Sequence, residues 1–148
     1  MAIDLSEDGP RVVALVGARE HVLKSSRFLR ACKWVKHFRE IGSDRKSSYL
    51  SAFPKRFEKL RPFLDIVRIC LDAQAIQRII DELGPRVVIV DDKLYNEIQH
   101  LRKVRESRVK ERHRKVLTLI ADNLANYFRL LLKSDPRRFR EELERFEK

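Results

Sequence analysis

Cysteine is scarce in this 148-residue chain, and the two it has, Cys32 and Cys70, show neither zinc-site spacing nor the density of a disulfide framework. Both read as small buried hydrophobes. No window holds the ~18 consecutive apolar residues of a membrane span. The opening Met1-Ala2-Ile3-Asp4-Leu5-Ser6-Glu7-Asp8 is acidic and lacks the basic and apolar regions of a signal peptide. A cytoplasmic protein outside the membrane is therefore expected. There are four glycines, and no glycine-rich phosphate loop surrounds Gly17-Ala18. His21, His37, His100 and His113 have no metal-ligand spacing, and no serine sits in a nucleophile-elbow setting. Serine-triad hydrolysis is thus unsupported, whereas a two-histidine phosphodiester mechanism stays open.

What the chain has in excess is positive charge, with 33 basic against 22 acidic residues and a net charge of +11. The charge comes in blocks: −3 over residues 1–10, +10 over 11–61, −3 over 62–98, +6 over 99–118 and +1 over 119–148. Basic blocks attract polyanions through counterion release, so nucleic acid, DNA or RNA, is the first partner to consider. Lys24, Arg27, Arg30, Arg45 and Lys46 in the first block, and Arg102, Lys103, Arg105, Arg108 and Arg112 in the second, are the candidate phosphate contacts. The competing reading is a thermophile-like surface, in which Lys, Arg and Glu serve ion-pair networks. Charged residues at 37% suit it, but it predicts a balance of signs that this chain lacks. Oligomeric state is not legible.

The stretch Gly84-Pro85-Arg86-Val87-Val88-Ile89-Val90-Asp91-Asp92 reads as a buried central strand that ends on two carboxylates. A β-branched run without polar alternation implies cover on both faces, as in a parallel sheet. Gly9-Pro10 launches another such strand, Val12 to Val16. Residues 66–71 form a third, and Asp72 caps a helix running to Leu83, so a βαβ unit with adjacent parallel strands is expected. Residues 19–41 read as a helix kinked near Cys32 to Trp34 or sandwiched between partners. Residues 42–48 read as a polar loop, 49–60 as a helical region interrupted at Pro54, and 94–101 as a further helix. Residues 102–115 have no buried face. Leu117, Ile120, Ala121, Leu124, Tyr127, Phe128 and Leu131 mark the strongest amphipathic helix, with Asp122, Asn126, Arg129 and Lys133 on its far side. Asp135-Pro136 starts a short last helix. The expected fold is one α/β domain over residues 1–148: a small, mainly parallel three-stranded sheet, flanking helices, a helical C-terminal third and a flexible acidic leader at 1–8.

In that fold Asp72, Asp91 and Asp92 emerge at one sheet edge, with Glu20 just past the end of the first strand. Converging carboxylates suit a hard cation such as Mg²⁺ or Mn²⁺, which would activate water against a phosphodiester. Alternatively, Asp72 and Asp92 cap the helices they precede, and Asp91 accepts a backbone amide. From Arg86 to Lys133, the strand ending in Asp91-Asp92, the basic linker containing Glu106-Ser107 and the segment Leu119-Ile120-Ala121-Asp122-Asn123-Leu124-Ala125-Asn126 together resemble the C-terminal half of uncharacterised RNase-H-like proteins. The resemblance implies a metal-binding acidic set that includes Asp91 or Asp92 and Asp122. It also implies an aspartate on a first strand that enters an antiparallel hairpin, whereas the strand read as first, Val12 to Val16, carries none and runs into a helix. The site expected from sequence is Asp91, Asp92 and Asp122 as catalytic residues, with Asp72 added as a metal ligand. The expected function is a nucleic-acid-associated protein with a divalent-metal-dependent nuclease-like site. The alternative is a non-catalytic interaction protein with a basic, thermostable surface.

Overall fold

The computed structural model describes residues 1–6 and 11–148. Five strands, β1 (Ala2–Ser6), β2 (Val12–Gly17), β3 (Ile66–Cys70), β4 (Val88–Val90) and β5 (Lys103–Arg105), form one mixed sheet in the order β3-β2-β1-β4-β5. β2 runs antiparallel to both β1 and β3, while β1, β4 and β5 are parallel neighbours. The expected three-stranded, mainly parallel sheet is therefore wrong in both strand number and direction. Residues 2–6, expected as flexible leader, form the middle strand; Glu7, Asp8 and the Gly9-Pro10 turn signal lie outside the described residues.

Connection length explains the directions. Only five residues separate β1 from β2. A parallel return needs a crossover of about a dozen or more, so these two must pair as an antiparallel hairpin. Inferring a parallel sheet from unbroken apolar runs failed because such runs report cover on both faces and not strand direction. That cover is real. Ala2, Val12, Ala14, Val16, Ile89 and Val104 pack on one face, and Ile3, Val13, Leu15, Val88 and Val90 on the other.

Among the described residues the sheet carries six helices, α1 (Glu20–Leu23), α2 (Ser26–Ala31), α3 (Lys46–Leu60), α4 (Ala73–Leu83), α5 (Arg112–Ser134) and α6 (Pro136–Phe146). α4 covers the second face with Ile76 and Ile80; it starts at the Asp72 cap and stops at Gly84, whose left-handed φ of 56° suits glycine. It connects β3 to β4 as expected. Yet β2 and β1 lie between those strands, so the predicted adjacent parallel pair is absent. The predicted 19–41 helix breaks where Ser25 accepts a hydrogen bond from the Phe28 amide and caps α2; a 3-10 turn, Phe38–Glu40, follows. α3 continues through Pro54.

α5 crosses the first face over β1 and β2, and the 3-10 turn and α6 pack against it in turn. It is thus buried on more than its apolar stripe, and Thr118, Asp122, Asn123 and Arg129 are buried as well. Phe53, Phe57, Tyr127 and Phe146 stack or tilt with centroids 4.8–5.9 Å apart, tying α3, α5 and α6 into one core. Among the described residues no helix is long and apolar enough to cross a membrane.

Candidate metal centre

The period of two along a strand puts three carboxylates in one place. Ala2, Ile89 and Val104 point into the core beneath α5. Two residues further along each strand direction come Asp4, still inside β1, and Asp91 and Glu106, just past the carboxyl ends of the parallel strands β4 and β5. Their nearest ligand oxygens all lie within 4.8 Å of one another. Asp4 is 5% exposed, whereas Asp91 and Glu106 are partly exposed, so the cluster has a buried floor and an open rim.

Asp122 closes the cluster from α5. The helix sits on this face of the sheet, and the segment before α3 folds over it. Asp122 Oδ2 accepts the Phe38 amide at 2.8 Å, Oδ1 accepts Asn126 Nδ2 at 3.1 Å, and His37 Nδ1 lies 3.7 Å from Oδ2. The far-side placement on α5 is corrected accordingly: that side is a second packed face, and Asp122 is 5% exposed.

The electrostatics follow from this crowding. Burial, then the negative charges of Asp122, Glu106 and Asp91, hold the Asp4 carboxyl well above its ordinary range. Glu106 is pushed up to about 7 by burial and by Asp91, Asp122 and Asp92. Asp122 is raised too; burial outweighs its bond from the Phe38 amide and the charge of His37. Like charges this close cannot all ionise, so the group must keep protons or take a cation. An all-oxygen set suits a hard divalent ion, whose octahedral shell with bonds of about 2.1 Å spaces its oxygens roughly 3–4 Å apart. These three side chains could hold such a metal.

The remaining predicted ligands do other work. Asp92 is exposed and accepts the Ser107 hydroxyl at 2.6 Å and its amide at 3.3 Å. That bond, with nearby Arg105 and Arg108, holds its carboxyl below the usual range. It also ties the loop after β4 to the turn after β5, setting Glu106 beside Asp91. Asp72 follows β3, the far edge strand, and its Oδ1 accepts the Ala75 amide at 2.8 Å, so it is a helix cap and no ligand. Glu20 follows β2, which runs the opposite way, and so sits at the other sheet edge with His113 at 2.6 Å and Arg114 at 3.2 Å.

Asp4 and Glu106 were missed as site residues. Asp4 had a usable signal: apolar residues on either side of it, a few positions before Gly9-Pro10 and a second apolar run, read as the first arm of a hairpin. Glu106 had little, because β5 offers one apolar residue, Val104, among cations. Of the predicted phosphate contacts, Lys24, Arg27, Arg30, Arg45, Arg102, Arg108 and Arg112 are exposed. Lys103 is tethered to the Tyr95 and Ile98 carbonyls at 2.9 and 3.2 Å; it and Arg105 lie 4.1 Å from the Tyr95 ring centroid, while Lys46 sits 4.9 Å from that of Phe38. No family model and no curated protein matches the sequence.

Proposed function

We propose that the protein is a nucleic-acid-associated, RNase-H-like protein that cleaves phosphodiesters with a divalent cation, Mg²⁺ or Mn²⁺, held by Asp4, Asp91 and Glu106. The observation that carries this reading is the convergence of those carboxylates on three adjacent parallel strands, Asp4 from within β1 and Asp91 and Glu106 from just past the ends of β4 and β5. Ligands in open α/β sheets bind beyond the carboxyl ends of the strands. The resemblance gains support from β1, an aspartate-bearing strand that pairs antiparallel with β2, and from Asp122 on the long helix beside it.

A hard divalent cation supplies charge neutralisation at a phosphate oxygen and makes water a competent nucleophile near neutral pH. The chain supplies the rest. Asp4, fixed in the strand, is the buried floor of the site, and Asp91 and Glu106 are its open sides. Asp122 adds negative charge without exposure. Arg39, whose charge reaches Asp122, and Arg105 and Arg108, whose charges reach Asp92, form a cationic rim that can hold the flanking phosphates.

Calorimetric titration with Mn²⁺, run beside a cleavage assay on mixed DNA and RNA substrates, tests the reading. Wild-type protein should bind the ion and cleave, and Asp4→Asn and Asp91→Asn should do neither while keeping polyanion affinity. Wild-type protein that binds no ion and cleaves nothing would favour the interaction-protein alternative.

A further inference from the structure

A second feature lies across a short stretch of backbone from the acidic cluster. α5 holds that stretch at two consecutive residues: Asp122 accepts the Phe38 amide at 2.8 Å, and Asn123 donates from Nδ2 to the Lys36 carbonyl at 2.7 Å. Tyr49 completes the clamp, with its hydroxyl donating to Asn123 Oδ1 and accepting the Lys36 amide at 3.3 Å. The side of this stretch away from Asp122 borders a cleft of about 630 Å³ lined by Trp34, Lys36, Arg45, Tyr49 and Arg56.

Its chemistry is the reverse of the metal centre's. Lys36, Arg45 and Arg56 are exposed cations, and Glu40 is the one acidic residue among those lining the cleft. The N-terminus of α3 opens here; no side chain caps it and no acidic residue stands in its first turn. All of this favours an anion. Beside the cations stands a flat apolar surface. Trp34 is partly exposed and held at a fixed attitude by Phe53 at 5.9 Å and Tyr49 at 6.0 Å, with the Arg56 guanidinium 5.5 Å from its ring. A ligand that is anionic and carries flat rings fits both halves. The bases of a duplex are stacked on one another and present no free ring, whereas those of a single strand do.

We propose that this cleft is a subsite for single-stranded nucleic acid, in which a base stacks on Trp34 while Arg45, Arg56 and Lys36 hold the adjoining phosphates. The proposal rests on the nucleic-acid reading above and adds to it that the strand passes the acidic cluster with an unpaired flank.

Trp34 is the only tryptophan in the chain, so its emission reports on this cleft alone. The experiment titrates full-length protein in EDTA with an oligothymidylate of about ten nucleotides, an abasic strand of equal length and a duplex of equal length. The thymidylate should quench Trp34 strongly, and the abasic strand and duplex weakly. By anisotropy of labelled thymidylate, Trp34→Leu should weaken binding roughly five-fold to a hundred-fold, and Trp34→Phe, which keeps a ring against Phe53, by less. Arg45→Ala combined with Arg56→Ala should lower the salt slope by about 1.4, or about 0.7 per lost single-strand phosphate contact. Equal quenching by the abasic strand, preference for the duplex, or thymidylate binding that leaves Trp34 emission unchanged would each overturn the proposal. So would no thymidylate binding at low salt. The metal centre is read separately in the Asp91→Asn protein. Quenching without cleavage there fits both proposals, and cleavage that survives the substitution removes the metal-centre reading and leaves the cleft standing.

Discussion

The two edges of the sheet treat carboxylates in opposite ways. At the carboxyl edge of β1, β4 and β5, Asp4, Asp91 and Glu106 face one another with Asp122 close by, and Asp4, Glu106 and Asp122 titrate high. At the other edge Glu20 faces His113 and Arg114; although burial works against it, those partners hold its carboxyl below the ordinary range. A carboxylate satisfied by nearby cations and donors stabilises the fold. A set that repels itself does not, and a cation bound there would relieve the repulsion.

The largest expected difference between the edges is in cation binding. Partners one shell away from a metal contribute about 10–100-fold to its affinity, so removing a ligand should cost at least the upper end of that range. Asp4→Asn and Asp91→Asn are therefore expected to weaken Mn²⁺ binding about 100-fold or more, and Glu20→Gln to leave it unchanged; titration calorimetry compares them directly. Equal losses at both edges would mean that the ion is bound nonspecifically. Asp92→Asn, which weakens the tie to Ser107, should cost about 10-fold through displacement of Glu106.

The next contrast is in pH. In metal-free protein, Glu106 titrates near 7 when folded against an ordinary 4.5. The folded state thus binds the proton more tightly, and the stability linked to it is complete below about pH 4.5 and lost as pH rises through 7. With solvent screening of this partly exposed group, the loss is on the order of 1–2 kcal/mol. Thermal melts in EDTA should fall across that window, Glu106→Gln should flatten the fall, and saturating Mn²⁺ should reverse it. Melts that stay level from pH 5 to pH 8 in EDTA would contradict the crowding inferred for the cluster.

Smallest are the effects of carboxylates that serve structure alone. Asp72→Ala should cost about 1 kcal/mol of stability through the lost α4 cap, with no change in Mn²⁺ affinity. Glu20→Gln, removing the half-exposed carboxylate that His113 and Arg114 share, should cost about 0–1 kcal/mol, and less in high salt. A marked effect of Asp72→Ala on metal binding would show that β3 reaches the centre after all.

Much of this contrast lies below the resolution of residue patterns. The apolar runs of β2, β3 and β4 were readable because both faces of the sheet are covered, and α4 and the core of α5 because their apolar residues recur with helical period. β1 and β5 were not. A five-residue strand with a buried aspartate resembles an acidic leader, and a three-residue strand between cations resembles solvated chain. Asp91 belongs to the acidic cluster and Asp122 lies close enough to raise the Asp4 carboxyl, but Asp72 and Asp92 were indistinguishable from them in sequence. A carboxylate before a helix looks the same in sequence whether it caps, bridges or ligates.

By itself the sequence determined that the chain is α/β, that it carries strongly basic blocks and that the strand at 88–90 ends on carboxylates, because composition and periodicity are local properties. Only the tertiary structure decided which carboxylates meet. Strand order and direction brought Asp4 to Asp91 across 87 positions and sent Asp72 and Glu20 elsewhere. The packing of the Phe38–Glu40 turn over α5 buried Asp122 on a helix side that its pattern marks as polar. Carboxylates shift one another's protonation over a few ångströms of space, and distance along the chain does not fix that separation.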